Sequence, residues 1–122
     1  MTPADAVRAA IAYPGRTLIV DAPDAMGAGA QGDSPALLSA LLEVAPETEA
    51  TVYIVDPETA AQAFELGEGA SARFHIGAKQ DTRWFSPAPV QATVERLCNG
   101  TFTYSGGPAS GSKASTGQTA VL

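Results

Sequence analysis

The sequence predicts an α/β fold, in which a small, partly parallel βαβα unit is followed by an antiparallel β extension. Two short apolar runs rich in β-branched residues, Thr17–Val20 and Thr51–Val55, indicate buried strands. Each run is followed by a segment whose apolar residues recur at helical spacing. After residue 68 the apolar residues recur at every second position, which is typical of half-buried strands.

The first half alternates helical and extended patterns. Residues 3–12 are rich in alanine and favour a helix. Asp33 is placed to cap a second helix, whose leucines form one apolar stripe until Pro46 ends it. The run Asp56-Pro57-Glu58 repeats the cap, proline and acid signal and predicts a third helix that ends near Leu66.

The second half is predicted to be antiparallel. Apolar and polar residues alternate over 70–76 and again over 90–95, so each segment predicts a strand with one buried face. Asn99-Gly100 is a strong hairpin signal, with aromatic residues continuing on its far side. Residues 105–118 are rich in Gly, Ser and Ala and predict a loop, whereas 119–122 resembles the beginning of a strand.

Composition restricts the classes of function. The chain has 122 residues, of which 45% are hydrophobic, so we expect one domain over 1–122, made of a βαβα-like part (1–67) and a β part with a Gly/Ser-rich tail (68–122). The net charge of -6 disfavours nucleic acid and anionic membranes as partners. One cysteine allows no internal disulfide, and the N-terminus lacks the pattern of a signal peptide. We therefore expect a cytoplasmic protein.

The loop after the first predicted strand contains Gly27-x-Gly29-x-x-Gly32, the pattern of a dinucleotide-binding turn. Asp21, Asp24 and Asp33 surround the place where a pyrophosphate would bind, and their charges would repel it. The predicted helix also begins after the glycines, whereas the fingerprint requires it to begin among them. Nucleotide binding is therefore kept only as an alternative. The same acids could bind a hard cation such as Mg²⁺.

No complete catalytic site is evident. A zinc site of the peptidase type needs three or four ligands, and His75 and Cys98, which are the single His and the single Cys, cannot supply them without carboxylates. We therefore assign no catalytic residue and no metal ligand. Lys79, at the end of a predicted strand, could direct its ammonium at an anionic group or simply protect the strand end from pairing.

The order of these motifs resembles the C-terminal domain of MlrC-like (microcystinase C) zinc metallopeptidases. That family has a loop of the form D-x-x-D-N-P-G-G-G-A-x-G-D-[ST] before a leucine-rich helix, and residues 21–34 are similar to it. Four residues depart from the family pattern: Ala25, Met26, Ala28 and Ala78. The further similarities are D-P-E at 56–58, G-x-G-A at 67–70, I-G-G-K at 76–79, G-x-F-x-x-x-G-P near 100–108 and G-x-T-A-V-L at 117–122.

The resemblance implies a metallopeptidase context without an active site on this chain. In the family, the zinc ligands belong to a larger N-terminal domain, to which no segment here is similar. We therefore expect a non-catalytic accessory domain, with no cofactor of its own and an MlrC-type metal domain as its partner in amide or peptide hydrolysis. The residues expected to face that domain or its substrate are Asp21, Asp24, Gly27, Gly29, Gly32, Asp33 and Lys79.

Two other functions stay open at this point. The chain could be a stand-alone binding or oligomerisation module, or a nucleotide-binding domain that uses the glycine loop. Because the sequence stops at a strand opening, it also resembles a fragment whose sheet lacks its final strands. An open edge of that kind predicts a homo-oligomer.

Overall fold

The computed structural model describes residues 1–80 and 82–122. Within these residues, helices and short strands follow one another along the chain, and the α/β class with antiparallel strands is confirmed. The α-helices are α1 (Pro3–Ala12), α2 (Ala36–Val44) and α3 (Pro57–Leu66), and two 3₁₀ turns cover Ala22–Asp24 and Met26–Ala28. The strands are β1 (Ser71–Ile76), β2 (Ala88–Thr93), β3 (Arg96–Cys98), β4 (Thr101–Thr103), β5 (Lys113–Ser115) and β6 (Thr119–Val121).

The chain forms two compact units, each built from two segments. The first unit consists of Met1–Asp56 and His75–Pro89, and the second of Pro57–Phe74 and Val90–Leu122. None of the helices in the described part of the chain is long and apolar enough to span a membrane.

In the first unit, helix α1 packs against α2. Helix α1 begins as predicted, because the hydroxyl of Thr2 accepts a hydrogen bond from Asp5 N (3.1 Å) and Pro3 lies in the first turn. The same hydroxyl donates to the Asp5 carboxylate at 2.7 Å and is the main cause of the lowered pKa of Asp5. Val7 of α1 and Ala40 of α2 are buried and mark the core of this unit.

The two strands predicted in the first half do not form. Thr17–Val20 and Thr51–Val55 lie outside every helix and strand. A strand requires hydrogen bonds to a neighbouring strand, and the one backbone bond recorded for these segments in the described residues joins Val55 N to Gly32 O (2.7 Å), in a loop. The parallel pairing expected for the βαβα part is therefore missing, although the helices on either side of it are present.

The second unit follows its sequence pattern closely. Helix α3 ends at Leu66, and the next residue, Gly67, has a φ of +85°, which glycine readily adopts, and donates its N–H to Ala63 O (2.9 Å). Strands β1 and β2 pair with each other. Phe74 and Val94 are fully buried, whereas the residues on either side of each of them along the chain are exposed, as the alternation predicts. This burial fixes which face of the pair is apolar.

The hairpin predicted at Asn99-Gly100 is wrong in its pairing. Strand β3 pairs with β6 and β4 pairs with β5, both antiparallel, so β3 and β4 lie in succession along one side of a longer ribbon. Asn99 Oδ1 accepts from Thr101 N (3.0 Å), and Gly100 O accepts from Thr116 N (3.1 Å). The local turn is thus an interruption within the ribbon rather than its end. The expected loop 105–118 contains β5, and the predicted strand opening at 119–122 is confirmed as β6.

Candidate functional site

Three aspartates of the first unit fasten two loops by accepting hydrogen bonds from backbone N–H groups. One loop is the glycine loop, defined here as residues 24–34, and the other is the lysine turn, Gly77–Gln80. We call Asp24, Asp33 and Asp56 together the aspartate clamp. Its members come from separate parts of the chain, and all the contacts described below lie within the first unit.

Asp24 closes the glycine loop on itself. Its Oδ1 accepts from Gly32 N at 2.9 Å and its Oδ2 accepts from Ser34 N at 2.7 Å. Both distances are typical of charge-assisted bonds, which are stronger than bonds between neutral groups. The loop can turn this tightly because Gly29 and Gly32 adopt φ values of +90° and +75°. One carboxylate therefore fixes both ends of the loop, and Gly27 and Gly29 remain on its exposed outer part.

Asp33 joins the glycine loop to the lysine turn. Its side chain is buried (6% exposed), and Oδ2 accepts from Lys79 N at 3.1 Å and from Gln80 N at 2.9 Å. Its backbone carbonyl accepts from Ala78 N at 2.7 Å. These donors lie 45 to 47 residues further along the chain.

The predicted role of Asp33 as a helix cap is wrong. Helix α2 begins at Ala36, and its N-cap position is Pro35, which has no side-chain hydrogen bond to the helix. At the start of the helix, Ser34 Oγ instead accepts a hydrogen bond from Ala36 N at 3.3 Å. Asp33 Oδ2 instead accepts from two backbone N–H groups of the lysine turn.

Asp56 forms the third contact, with the lysine side chain itself. Lys79 Nζ lies 2.9 Å from both carboxylate oxygens of Asp56, and Gly77 N donates to Oδ2 at 2.8 Å. The Asp56 side chain is 4% exposed and that of Lys79 is 20% exposed. The sequence pattern did not place Asp56 in this site, because Asp56-Pro57 has the local signature of a helix start.

The backbone of the lysine turn is closely fitted. Gly77 has a φ of +76°, and a Cβ placed on it would lie 2.5 Å from Asp33 O. The next residue, Ala78, is buried and has a φ of +50°, in the left-handed region that non-glycine residues adopt at a cost of roughly 1–2 kcal/mol. The clamp therefore maintains a backbone conformation that is unfavourable in isolation.

The structure brings together four of the residues predicted for the site and leaves out three. Asp24, Gly32, Asp33 and Lys79 meet around the clamp. The side chain of Asp21 does not cap the 3₁₀ turn that follows it, and Gly27 and Gly29 are exposed on the loop surface. The clamp thus fixes the base of the glycine loop, whereas the tip of the loop is exposed.

This geometry disfavours a dinucleotide site. Gly27 lies in a 3₁₀ turn, and α2 begins only at Ala36, beyond Gly32. A pyrophosphate would require the N–H groups at the beginning of a helix, close to the glycines. Here the N–H groups of Gly32 and Ser34 already donate to Asp24.

The donor set also does not fit a zinc centre. Among residues 1–80 and 82–122, no three His, Cys, Asp or Glu side chains are grouped so that they could hold a metal ion. His75 lies exposed on β1 and Cys98 lies exposed on β3. The carboxylates of the clamp are directed at backbone N–H groups and at Lys79. No catalytic step can be derived through zinc on these residues.

A comparison with known protein families shows which family the chain belongs to. The family model described as the MlrC C-terminus matches residues 19–122. The chain belongs to this family. The matched range of the MlrC C-terminal domain includes the glycine loop, the lysine turn and all three residues of the clamp.

A solved structure has the same fold as this MlrC C-terminal domain. It is a crystal structure from Mesorhizobium sp. BNC1 described as a "putative metallopeptidase", with a TM-score of 0.81 and 29% sequence identity to this chain. The similarity covers 98% of this chain and 24% of the Mesorhizobium chain. The domain thus spans about a quarter of the length of the solved protein that it matches. Among curated proteins, the comparison found no match.

Proposed function

We propose that this chain is a non-catalytic accessory domain of an MlrC-like metallopeptidase, in which a separate metal domain carries out amide or peptide hydrolysis. Membership of the MlrC C-terminal family supports this context. The Mesorhizobium structure supports it further, because the fold of this chain corresponds to 24% of a longer chain described as a "putative metallopeptidase".

The observation that carries the proposal is the orientation of the clamp. Asp24 and Asp33, the acids of the family's characteristic loop, accept hydrogen bonds from Gly32, Ser34, Lys79 and Gln80. A metal ligand or general base needs an oxygen directed at the metal or the substrate. The acids therefore act as fasteners of the loop, and their role is to keep its shape.

The shape that they maintain presents the tip of the glycine loop to the surroundings. Met26, the residue that stands where the family has proline, is 50% exposed, and its neighbours from Gly27 to Gly29 are also exposed. An exposed loop that is held rigidly at its base loses little conformational entropy when it meets a partner. We infer that this tip faces the metal domain or the substrate bound there.

Zinc content and amide hydrolysis, measured together on the purified chain, test the proposal. The chain is equilibrated with excess zinc, freed of unbound metal and assayed by mass spectrometry for bound zinc and for cleavage of a peptide library. The full-length Mesorhizobium protein is carried through the same steps for comparison. We expect zinc and cleavage with the Mesorhizobium protein and neither with this chain. Stoichiometric zinc together with peptide cleavage by this chain alone would overturn the proposal.

A further inference from the structure

Two segments of the first unit that lie outside every helix and strand expose apolar side chains at the spacing that a strand would have. In Thr17–Val20 the side chains of Leu18 and Val20 are 87% and 72% exposed, and in Thr51–Val55 that of Tyr53 is 58% exposed. Ile19 is partly buried between Leu18 and Val20, and Val52 and Ile54 are partly buried on either side of Tyr53. Exposure thus alternates with a period of two, as it does along a β-strand that has one face covered.

The covered face is provided by this chain, and the opposite face is bare. Leu18 and Val20 follow one another on the same side of the segment, so they form a continuous apolar surface. Apolar residues that are scattered singly over a surface need no explanation, whereas adjacent ones in an extended segment indicate contact with another polypeptide.

The backbone of these segments also lacks strand neighbours. In the described part of the chain, the backbone hydrogen bond recorded for the two segments is that from Val55 N to Gly32 O. The N–H and C=O groups of 18–20 and 51–54 are therefore open to a strand from elsewhere. An open edge of this kind accepts an added strand through main-chain hydrogen bonds, while the apolar side chains determine its register.

An open groove continues this surface towards α1. It has a volume of about 440 Å³ and is bounded on one side by α1 and on the other by Thr17–Val20. The residues used here as its lining are Ala6, Ala10, Tyr13, Leu18 and Ile19. Small alanines opposite larger apolar side chains leave room for an apolar side chain of the partner.

The occupant that fits these observations is the remainder of a longer MlrC-like protein. The Mesorhizobium structure matches 98% of this chain with a TM-score of 0.81, and the matched part is 24% of the Mesorhizobium chain. A fold found inside a much longer chain has polypeptide available to cover its open edge. We propose that the metal domain adds β-strands to Thr17–Val20 and to Thr51–Val55, which we together call the docking edge. This inference rests on the proposed function, since it specifies how the accessory domain is joined to its partner.

Hydrogen exchange, followed by mass spectrometry, tests the docking edge on two intact proteins. Exchange is measured on this chain and on the full-length Mesorhizobium protein, and peptides that cover the two segments are compared with the peptides aligned to them. Peptides from β1 serve as the internal control, because that strand is paired within the domain. We expect the two segments to exchange at least 100-fold more slowly in the Mesorhizobium protein than in this chain, while β1 is protected in both.

Three outcomes would overturn the docking edge. The first is rapid exchange of both segments in the Mesorhizobium protein. The second is strong protection in this chain as a monomer. The third is protection that falls on dilution and is removed by Leu18→Lys, which would identify a second copy as the occupant instead. If the first occurs while the Mesorhizobium protein retains zinc and cleaves peptides, the docking edge fails and the proposed function stands. Cleavage by this chain alone would instead reject the proposed function.

Discussion

The ammonium of Lys79 lies 2.9 Å from both carboxylate oxygens of Asp56, a residue that precedes it by 23 positions. The carboxylate is almost fully buried, and Gly77 N donates to it as well. One lysine therefore neutralises a buried acid and, through its own backbone N–H, also contacts Asp33. The pair therefore fixes the lysine turn within the first unit.

Lys79→Gln should destabilise the fold strongly. The substitution leaves the Asp56 carboxylate buried without its cation, and breaking a buried pair costs about 3–5 kcal/mol. Because the Lys79 side chain is 20% exposed, we expect a loss of about 3 kcal/mol in the free energy of unfolding, measured by urea denaturation. Arg8→Gln is the control, since the Arg8–Asp5 pair is more than half exposed and should contribute very little. Equal effects of the two substitutions would contradict this interpretation.

Asp24→Ala should loosen the glycine loop. It removes the acceptor for Gly32 N and Ser34 N, and two charge-assisted hydrogen bonds together contribute about 3–6 kcal/mol. The matched control is Asp21→Ala, because Asp21 makes no capping bond to the turn that follows it. We expect thermal unfolding to show a clear loss of stability for the first variant and little change for the second. A larger loss for Asp21→Ala would show that the fastening acid has been misidentified.

Gly77→Ala should be much more damaging than Gly67→Ala. Both glycines have positive φ, so alanine costs roughly 1–2 kcal/mol at either position. At Gly77 the new methyl group also meets the carbonyl of Asp33 at 2.5 Å, whereas at Gly67 nothing lies within 4 Å. We expect a difference of about 2 kcal/mol between the two variants in chemical denaturation. Indistinguishable midpoints would mean that the lysine turn moves away from Asp33 easily.

Ala78→Gly should stabilise the protein, although it removes a buried methyl group. The φ of +50° at Ala78 is unfavourable for alanine and permitted for glycine. Glycine is also the residue in the MlrC family pattern at this position. We expect a net gain of about 0.5–1 kcal/mol, because relief of strain exceeds the loss of packing and the added entropy of the unfolded chain. Ala61→Gly in α3 is the control and should lower stability by about 1 kcal/mol. Calorimetry that shows both variants losing stability would refute the assignment of strain.

The elements that the sequence predicts well are those controlled by neighbouring residues. Helix α3 begins at Pro57, within the Asp-Pro-Glu run, and ends at Leu66, immediately before Gly67, and both signals act within one helical turn. The burial of Phe74 between exposed positions follows from the alternation of a strand. These features depend on local geometry, so a single sequence contains enough information to place them.

The clamp could not be predicted in the same way. Asp33 and Asp56 each precede a proline and a helix, so both have the local signature of a cap. Their partners in the clamp lie more than 20 residues away, and nothing in the spacing indicates which backbone groups will arrive there. The segments Thr17–Val20 and Thr51–Val55 illustrate a related limit, because an apolar run indicates burial whereas a strand also requires a partner.

The clamp acids hold the two loops through their backbone N–H groups, and we expect them not to exchange these donors for a metal ion. Zinc titration of the ¹⁵N-labelled chain, followed by amide chemical shifts, tests it most directly. The reporters are the amides that donate to Asp24 and Asp33, namely Gly32, Ser34, Lys79 and Gln80. We predict that these four resonances stay in place through several equivalents of zinc. Movement of all four that saturates at one equivalent would contradict the claim, because the carboxylates would then have exchanged their backbone donors for a metal ion.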